Sequence, residues 1–202
     1  MRYEKGHKDT TRKRIVEVAS KRFRSEGVEG VGVAGLMADA GLTHGGFYSH
    51  FGSKEELVRE AVTEAFTGTN AELERVARTG ADGLEAIVRT YLSPQHRDRP
   101  DLGCAAAALV SEIARHPDPT RLAFTGKLEE LIGLIAAQLP VGGPAGGLAG
   151  DLDERRRCAT GIFAVMMGAL QLARAAPDAG RSEQILENGV EAALSLARNF
   201  AP

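Results

Sequence analysis

Hydrogen-bonding side chains are concentrated in the run 41–54, which reads GLTHGGFYSHFGSK. Its donors include a hydroxyl, two imidazoles, a phenol and an ammonium, from Thr43, His44, His50, Tyr48 and Lys54. Groups of these kinds bind phosphate oxygens and the edges of bases. Gly45 and Gly46 lie among them and have no side chains, so the backbone there can approach a ligand closely. The pattern predicts contact with a nucleic acid.

Two short helices are needed to hold this run in place. Residues 33–40 form an amphipathic segment, and Gly41 follows it and can adopt the left-handed conformation that ends a helix. We expect the Thr43 hydroxyl to cap a second helix and Phe47 to return to the core beneath it. A helix, a glycine turn and a second helix are typical of the helix-turn-helix, whose second helix enters the DNA major groove.

The run belongs to a longer pattern that begins on the preceding helix. Its members are Arg14, Ile15, Phe23 and Gly27, then Tyr48, His50, Phe51, Ser53, Lys54 and Leu57. In this combination the chain resembles the TetR family of bacterial transcriptional regulators. The resemblance implies a homodimer that binds palindromic double-stranded DNA and a small-molecule effector. It implies DNA contacts from Arg14, Thr43, His44, Gly45, Gly46, Tyr48, His50 and Lys54.

One position departs from the family pattern. Family members usually carry Thr or Ser where the helix at 33–40 begins, and its hydroxyl meets a phosphate. This chain has Gly32 and Val33 there. We expect a backbone N–H to replace the missing hydroxyl.

Charge is distributed unevenly along the chain. Residues 1–54 hold ten Lys and Arg against six Asp and Glu, a net +4, whereas residues 55–202 hold fifteen against twenty-one, a net −6. A basic segment on an acidic body is typical of a local nucleic-acid site. A flexible tail with chance charges would give the same count.

Composition excludes several classes of protein. Hydrophobic residues make up 43% and charged residues 26%, as in soluble globular proteins. No apolar run has bilayer-spanning length and the first residues do not form a signal peptide, so we expect a cytoplasmic protein without a membrane partner. The two cysteines and five histidines lack metal-ligand spacing, so no metal or cofactor is expected. Without a G-x-S-x-G elbow or a phosphate-binding glycine loop, an enzyme is disfavoured.

The remaining periodicity predicts an all-α protein of about nine helices. After a disordered stretch at 1–8, helices are expected at 9–26, 33–40, from 43, from 53 to a break at 80–82, at 84–92, 102–115, 118–139, 151–175 and 180–199. Loops are expected at 94–100 and 140–150, which are rich in proline or glycine. Ser53 and Glu56 form a predicted capping box. We predict a DNA-binding domain at 1–54 and an effector-binding and dimerisation domain at 55–202.

The last two predicted helices carry two apolar stripes and several small residues. Two stripes suggest burial on two sides, and small residues allow close approach of helices. We therefore predict that this pair forms a four-helix bundle with its mate in a dimer. The interface residues would be Gly161, Ala164, Gly168, Gly189, Ala193 and Leu196. The alternative is an internal helix pair of a monomer.

The resemblance also implies an effector pocket within the C-terminal helices. Its lining would be apolar and aromatic, from Phe66, Tyr91, Cys104, Phe124, Phe163, Met166 and Met167. The same side chains would make an ordinary hydrophobic core, and that reading is favoured for each of them singly.

Cys104 stands at the predicted start of the helix at 102–115, where unpaired N–H groups lower a thiol pKa. Gly103 and Cys104 resemble members of the family that sense electrophiles or oxidants through a thiol. His96, Arg97 and Arg99 are close in sequence and would favour the thiolate. The alternative is a small buried residue in an alanine-rich helix. Cys158 has the weaker case for a sensor.

These features together predict a dimeric repressor that is released from DNA by an effector or by thiol modification. An activator or an effector-binding protein of the same fold is the alternative. A thiol-dependent redox protein is a more distant one.

Overall fold

A computed structural model describes residues 5–79, 82–140 and 148–200 of the 202-residue chain. This part of the chain is all-α, as predicted, and contains no strand. The α-helices are α1 Lys5–Glu26, α2 Val33–Asp39, α3 Lys54–Ala77, α4 Gly83–Tyr91, α5 Pro94–Asp98, α6 Ala105–Ile113, α7 Asp118–Ala136, α8 Leu148–Ala175 and α9 Ala179–Phe200. Two 3₁₀ segments are His44–Ser49 and Pro100–Leu102.

The helices form two compact units. Unit 1 comprises Met1–Gly68 and Pro100–Lys127, and unit 2 comprises Thr69–Arg99 and Leu128–Pro202. Helices α3 and α7 each contribute residues to both units. The functional boundary after Lys54 stays a prediction.

In unit 1 the first helix supplies a continuous buried stripe. Ile15, Ala19 and Phe23 are almost completely buried, at the spacing that the sequence predicts. Helix α1 packs against α2 and α6. It begins at Lys5, however, and not at Asp9 as predicted.

In unit 2 the two long helices α8 and α9 pack against each other, and α4 and α5 pack onto them. Leu84, Ile87, Val88 and Tyr91 form the buried face of α4. Asp82 caps this helix, since its side chain accepts from the Glu85 N–H at 3.0 Å.

The region from residue 94 to residue 105 also differs from the sequence expectation. Residues 94–100 are not a loop, because Ser93 caps α5 by accepting from the His96 N–H at 3.2 Å and Pro94 occupies its first turn. Proline is well accommodated there, since the N–H that it lacks would be unpaired. The helix expected at 102–115 begins at Ala105, since Leu102 ends a separate 3₁₀ segment.

Other expectations are only partly covered by the structure. The predicted disorder at residues 1–4, the break at 80–81 and the loop at 141–147 lie outside the described residues. The end of that predicted loop, from Leu148, is helical.

One helix bears on the expectation that no apolar run has bilayer-spanning length. Leu152–Ala175 is long and apolar enough to cross a bilayer by length and composition alone. Arg157 and Arg174 bound the uncharged part of this helix, so it contains no uninterrupted apolar run of that length. The helix packs along α9, and the core helix of a soluble protein meets the same criterion.

Candidate nucleic-acid interface

The turn between α2 and the first 3₁₀ segment is closed by Gly41, whose φ of +67° confirms the predicted left-handed conformation. The Gly41 N–H donates to the Ala38 carbonyl at 2.9 Å, and the Leu42 N–H donates to the Met37 carbonyl at 2.8 Å. This pair of bonds is the Schellman motif that ends helices. The turn is therefore a property of the local sequence.

The segment after the turn is a 3₁₀ helix, His44–Ser49, and not the predicted α-helix. Thr43 stands at its N-cap, but the hydroxyl makes no capping bond, so that prediction was wrong. Two adjacent glycines, Gly45 and Gly46, disfavour an α-helix by about 1 kcal/mol each relative to alanine. The tighter turn is closed through the backbone, with the Gly46 N–H donating to the Thr43 carbonyl at 3.0 Å.

Burial divides this segment into an anchor and a display face. Phe47 is buried and stacks on Phe51, with ring centroids 5.5 Å apart. The next residue, Tyr48, is 69% exposed and meets the Phe47 ring edge-on at 5.3 Å. Thr43, His44 and Gly45 are exposed as well. The anchor orients an exposed hydroxyl, an imidazole and a phenol on one short turn.

The side chains that were predicted to contact phosphate differ in their exposure. Arg14 is exposed on α1, and His50 is half-buried. Lys54 is half-buried, and its Nζ donates to the Val28 carbonyl at 2.7 Å. Gly32 is the N-cap of α2 without a side-chain bond. That a backbone N–H contacts phosphate here, in place of the hydroxyl usual in the family, stays a prediction.

An ion-pair cluster joins α1 to the start of α3. The Arg12 guanidinium lies 4.1 Å from the centroid of the Phe51 ring and donates to Glu56 at 2.6 Å and to Glu60. Arg12 lowers the pKa of the Glu56 carboxyl, and the Gly52 N–H lowers it further. This cluster holds Phe51, which follows the 3₁₀ segment His44–Ser49, against α1. That 3₁₀ segment is called here the display segment.

The predicted capping box at the start of α3 is confirmed in one half. The Ser53 hydroxyl accepts from the Glu56 N–H at 3.1 Å. The Glu56 carboxylate accepts from the Gly52 N–H at 2.7 Å and not from that of Ser53. The same carboxylate also binds Arg12.

A carboxylate that sequence reasoning missed holds the turn after α1. Glu112 of α6 accepts from the Val28 N–H at 2.8 Å and from the Glu29 N–H at 3.3 Å. Gly27 has a φ of +80°, and a Cβ there would lie 2.7 Å from Glu112 Oε1. No local signal could have identified Glu112, because its partners are 84 and 83 residues away in sequence.

The residues proposed for an effector pocket fall in both units. In unit 1, Phe66 and Phe124 meet edge-on with ring centroids 5.2 Å apart, and Cys104 is buried. In unit 2, the rings of Tyr91 and Phe163 lie 5.8 Å apart. Met166 is buried and Met167 is half-buried. Within each unit these side chains have the burial of a hydrophobic core, and their role as a lining stays a prediction.

Cys104 has no exposed surface and is the N-cap of α6. The cation beside it is Arg24, which donates to the Gly103 carbonyl at 2.6 Å. Burial lowers the pKa of Arg24, while Asp101, Cys104 and Glu64 oppose that shift. Sequence reasoning expected Arg97 near this thiol, but Arg97 donates to Asp98 and Ser182.

Cys158 differs from Cys104 in its surroundings. It is half-buried on α8, and its Sγ donates to the Leu196 carbonyl at 3.8 Å. Burial raises the pKa of this thiol above its ordinary value. A raised pKa reduces the thiolate fraction and hence the reactivity.

The predicted dimer residues separate into two groups by burial. On α8, Gly161, Ala164 and Gly168 are exposed or half-buried, and Leu172 continues their stripe with 64% exposure. A Cβ on Gly161 would lie 4.0 Å from Cδ1 of Leu196 on α9, which is 40% exposed. These residues form one surface patch, called here the α8–α9 patch.

The second group points into unit 2. Gly189 and Ala193 of α9 are buried. A Cβ on Gly189 would lie 2.4 Å from the Ala169 Cβ and 3.1 Å from Cδ1 of Leu92. The small size of Gly189 is therefore explained by packing within the chain. Among the described residues, no group of three or more His, Cys, Asp or Glu is placed to hold a metal ion.

Two family models match this chain, one in its N-terminal part and one in its C-terminal part. Residues 15–61 match the model of bacterial regulatory proteins, tetR family. Residues 80–188 match the model of the tetracyclin repressor-like C-terminal domain. The HTH-type transcriptional regulator LmrA of Bacillus subtilis (strain 168) is 28% identical over 116 residues, which are 55% of this chain and 61% of LmrA. The match thus spans about three fifths of that protein's length.

Solved structures share the fold at lower identity. The reduced form of E. coli NemR superposes with a TM-score of 0.72 at 19% identity, covering 92% of this chain and 96% of that one. A TetR transcriptional regulator from Chloroflexus aurantiacus J-10-fl gives a TM-score of 0.73 at 24% identity, with 94% of both chains covered.

Proposed function

Because the chain belongs to the TetR family of bacterial transcriptional regulators, we propose that it is a ligand-responsive repressor that binds a palindromic operator as a homodimer. The family is one of transcriptional regulators with a helix-turn-helix, not of enzymes. The observation that best supports this proposal is the exposed trio Thr43, His44 and Tyr48, which lies on a turn that buried Phe47 anchors. A bacterial operator lies in the cytoplasm, so the proposed role also agrees with the predicted location.

The exposed trio suits two kinds of contact with duplex DNA. Thr43 and His44 come first on the 3₁₀ segment and are proposed to meet base edges in the major groove. Tyr48, together with Arg14, is proposed to contact phosphates. These contacts would set the register on DNA of the predicted DNA-binding domain at 1–54, called here the head. Open space around Gly45, where a Cβ would meet nothing within 4 Å, supports a close approach of backbone to DNA.

The α8–α9 patch is proposed as the dimer surface. It is apolar, it combines small residues with exposed Leu172 and Leu196, and most of it lies on α8, the longest helix in the described part of the chain. Two heads held in this way would read the two half-sites of a palindrome, since a two-fold protein requires a two-fold site.

Release from DNA is proposed to follow binding of a small molecule, or modification of a thiol, in the C-terminal region. Either event acts only through a difference in free energy between the DNA-bound and released states, typically 1–3 kcal/mol. The complete burial of Cys104 weighs toward a reversibly bound apolar ligand, because a reagent reaches that thiol only when unit 1 opens locally.

Selection from a random-sequence duplex library, with sedimentation of the free protein and of the complex, tests this proposal. We expect an inverted repeat among the selected sequences and two chains per duplex. Recovery of no enriched sequence, or of one chain per asymmetric site, would contradict it.

His44→Ala should alter base preference at one position of each half-site. Its imidazole is exposed at the first position of the 3₁₀ segment, and loss of a base contact costs about 1–3 kcal/mol against the preferred base only. Arg14→Ala is the matched control, since loss of a phosphate contact weakens binding to all sequences and lowers the salt slope by about 1. Gel shifts on the selected duplex and its single-base variants separate the two. An unchanged base preference in His44→Ala would count against base reading.

Cys104→Ser tests the thiol route of release. If modification of Cys104 drives release, the variant binds DNA normally but is not released by a quinone or an aldehyde. Cys158→Ser should respond like wild type, because burial raises the pKa of that thiol and lowers its reactivity. Release is followed by fluorescence anisotropy of labelled duplex against reagent dose. Release of Cys104→Ser at the wild-type dose removes the thiol route and leaves the bound ligand.

A further inference from the structure

One peptide bond in the turn between α1 and α2 is held on both sides by charged side chains from other helices. The Val28 carbonyl accepts from Lys54 Nζ at 2.7 Å. The Glu29 N–H, on the opposite side of the same peptide, donates to Glu112 at 3.3 Å. The Val28 N–H donates to the same Glu112 oxygen at 2.8 Å. We call this arrangement the Val28–Glu29 clamp.

The charges in the clamp match the polarity of the peptide. A peptide N–H carries partial positive charge and a C=O carries partial negative charge, so a carboxylate on one side and an ammonium on the other both bind favourably. Hydrogen bonds with a charged partner are roughly twice as strong as neutral ones. The Val28 side chain is buried, which fixes the turn against the core of unit 1.

The other carboxylate near the turn, that of Glu55, is bonded to other side chains and does not replace Glu112. Glu55 lies in the same small cleft, but its carboxylate accepts from His116 Nδ1 at 3.0 Å and from the Thr120 hydroxyl at 2.5 Å. Gly27 gives Glu112 the space it needs, since a Cβ there would lie 2.7 Å from its carboxylate. The turn thus depends on one carboxylate from α6.

We propose that Glu112 is a positioning residue for DNA binding, which acts by fixing the turn that connects α1 to α2. The inference rests on the proposed DNA-binding function. Helix α2 packs directly on the 3₁₀ segment that presents His44 and Tyr48. A turn released from Glu112 leaves α2, and with it the display segment, free to sample other positions, so the DNA-competent arrangement is populated less. Glu112 touches no DNA and contributes only through the backbone of Val28 and Glu29.

Glu112→Ala is the test, with Glu29→Ala as its matched control. Both variants remove one negative charge near the head, and general electrostatics makes both bind DNA more tightly. Only Glu112→Ala removes the bonds to the turn. We expect its affinity for the duplex selected by the wild type to fall about tenfold relative to Glu29→Ala, as for lost hydrogen bonds to a charged acceptor. Glu112→Gln retains an acceptor oxygen and should lose less.

Amide hydrogen exchange in the free protein measures whether Glu112 holds the turn, and the affinity of the folded protein for DNA measures whether that hold matters for binding. We expect exchange at Val28 and Glu29 to accelerate about tenfold in Glu112→Ala and to stay at the wild-type rate in Glu29→Ala. If Glu112→Ala fails to fold, Glu112→Gln decides the same question through a smaller loss in both measurements.

The outcomes separate this inference from the proposed function. A wild-type protein that enriches no duplex defeats the proposed function and with it a role of Glu112 in DNA binding, and exchange then decides only whether the clamp exists. A wild type that binds, with Glu112→Ala and Glu29→Ala binding equally, overturns the positioning role alone. A lowered melting temperature with unchanged affinity of the folded protein also overturns it. Selective exchange together with a selective loss of affinity supports it.

Discussion

Gly168→Arg should convert the proposed dimer into a monomer and abolish the proposed binding to a palindromic duplex. Gly168 lies in the α8–α9 patch, and a Cβ there meets nothing within 4 Å in the single chain. The arginine is therefore tolerated by the monomer but buried without a partner in the proposed dimer. Burial of an unpaired charge costs several kcal/mol. Sedimentation velocity at micromolar concentration measures the association state, and gel shifts measure the loss of DNA binding.

Gly126→Arg is the control for this substitution. Gly126 is exposed within α7 and also has open space around its Cβ position, so the variant adds the same charge outside the α8–α9 patch. We expect it to remain dimeric and to bind DNA as tightly as wild type or more so. A dimeric Gly168→Arg would exclude this stripe of α8 from the interface. A wild type that sediments as a monomer would remove the dimer proposal itself.

Gly189→Ala should destabilise the protein, although alanine is the better helix former. The added methyl would lie 2.4 Å from the Ala169 Cβ and 3.1 Å from the Leu92 side chain, so α8 and α9 must move apart. Overpacking of this kind costs about 1–3 kcal/mol. It outweighs the gain of about 1 kcal/mol that alanine brings to a helix interior. Thermal and urea unfolding followed by circular dichroism would show the loss.

Gly126→Ala should have the opposite effect on the stability of the protein. It also places alanine inside a helix but meets no neighbour within 4 Å, so we expect stabilisation of up to about 1 kcal/mol. If both variants stabilise the protein, the close approach of α8 and α9 at Gly189 is not as tight as the structure has it. The two results would then also weaken the division of α9 into an inner face and an outer face.

The separation of the predicted interface residues into buried and accessible ones decides which of them a second copy of the chain can contact. Small residues at helical spacing on α8 and α9 suggest close packing, but spacing alone does not identify the partner. The structure assigns Gly189 and Ala193 to packing within the chain, whereas Ala164, Gly168 and Leu196 remain accessible. Only the accessible group is available to a second copy.

The local sequence by itself determined the elements that build the head. Gly27 and Gly41 end their helices with positive φ, as only glycine does easily, and Ser53 caps α3. The buried stripe of α1 follows from its apolar spacing. Each of these features depends on residues within one or two turns of each other, so the pattern is visible in the sequence. The same local motif supports the family assignment.

Only the tertiary structure decided how these elements are joined and which faces they expose. The place of Arg24 beside Cys104 and the burial of Gly189 were not evident from periodicity. Glu112 binds the Val28 N–H across 84 residues of sequence. Hydrogen bonds and helix contacts of this kind join residues that are distant in the chain, and a single sequence carries no local signal that pairs them. Their energies depend on distances and burial that exist only after the helices have packed.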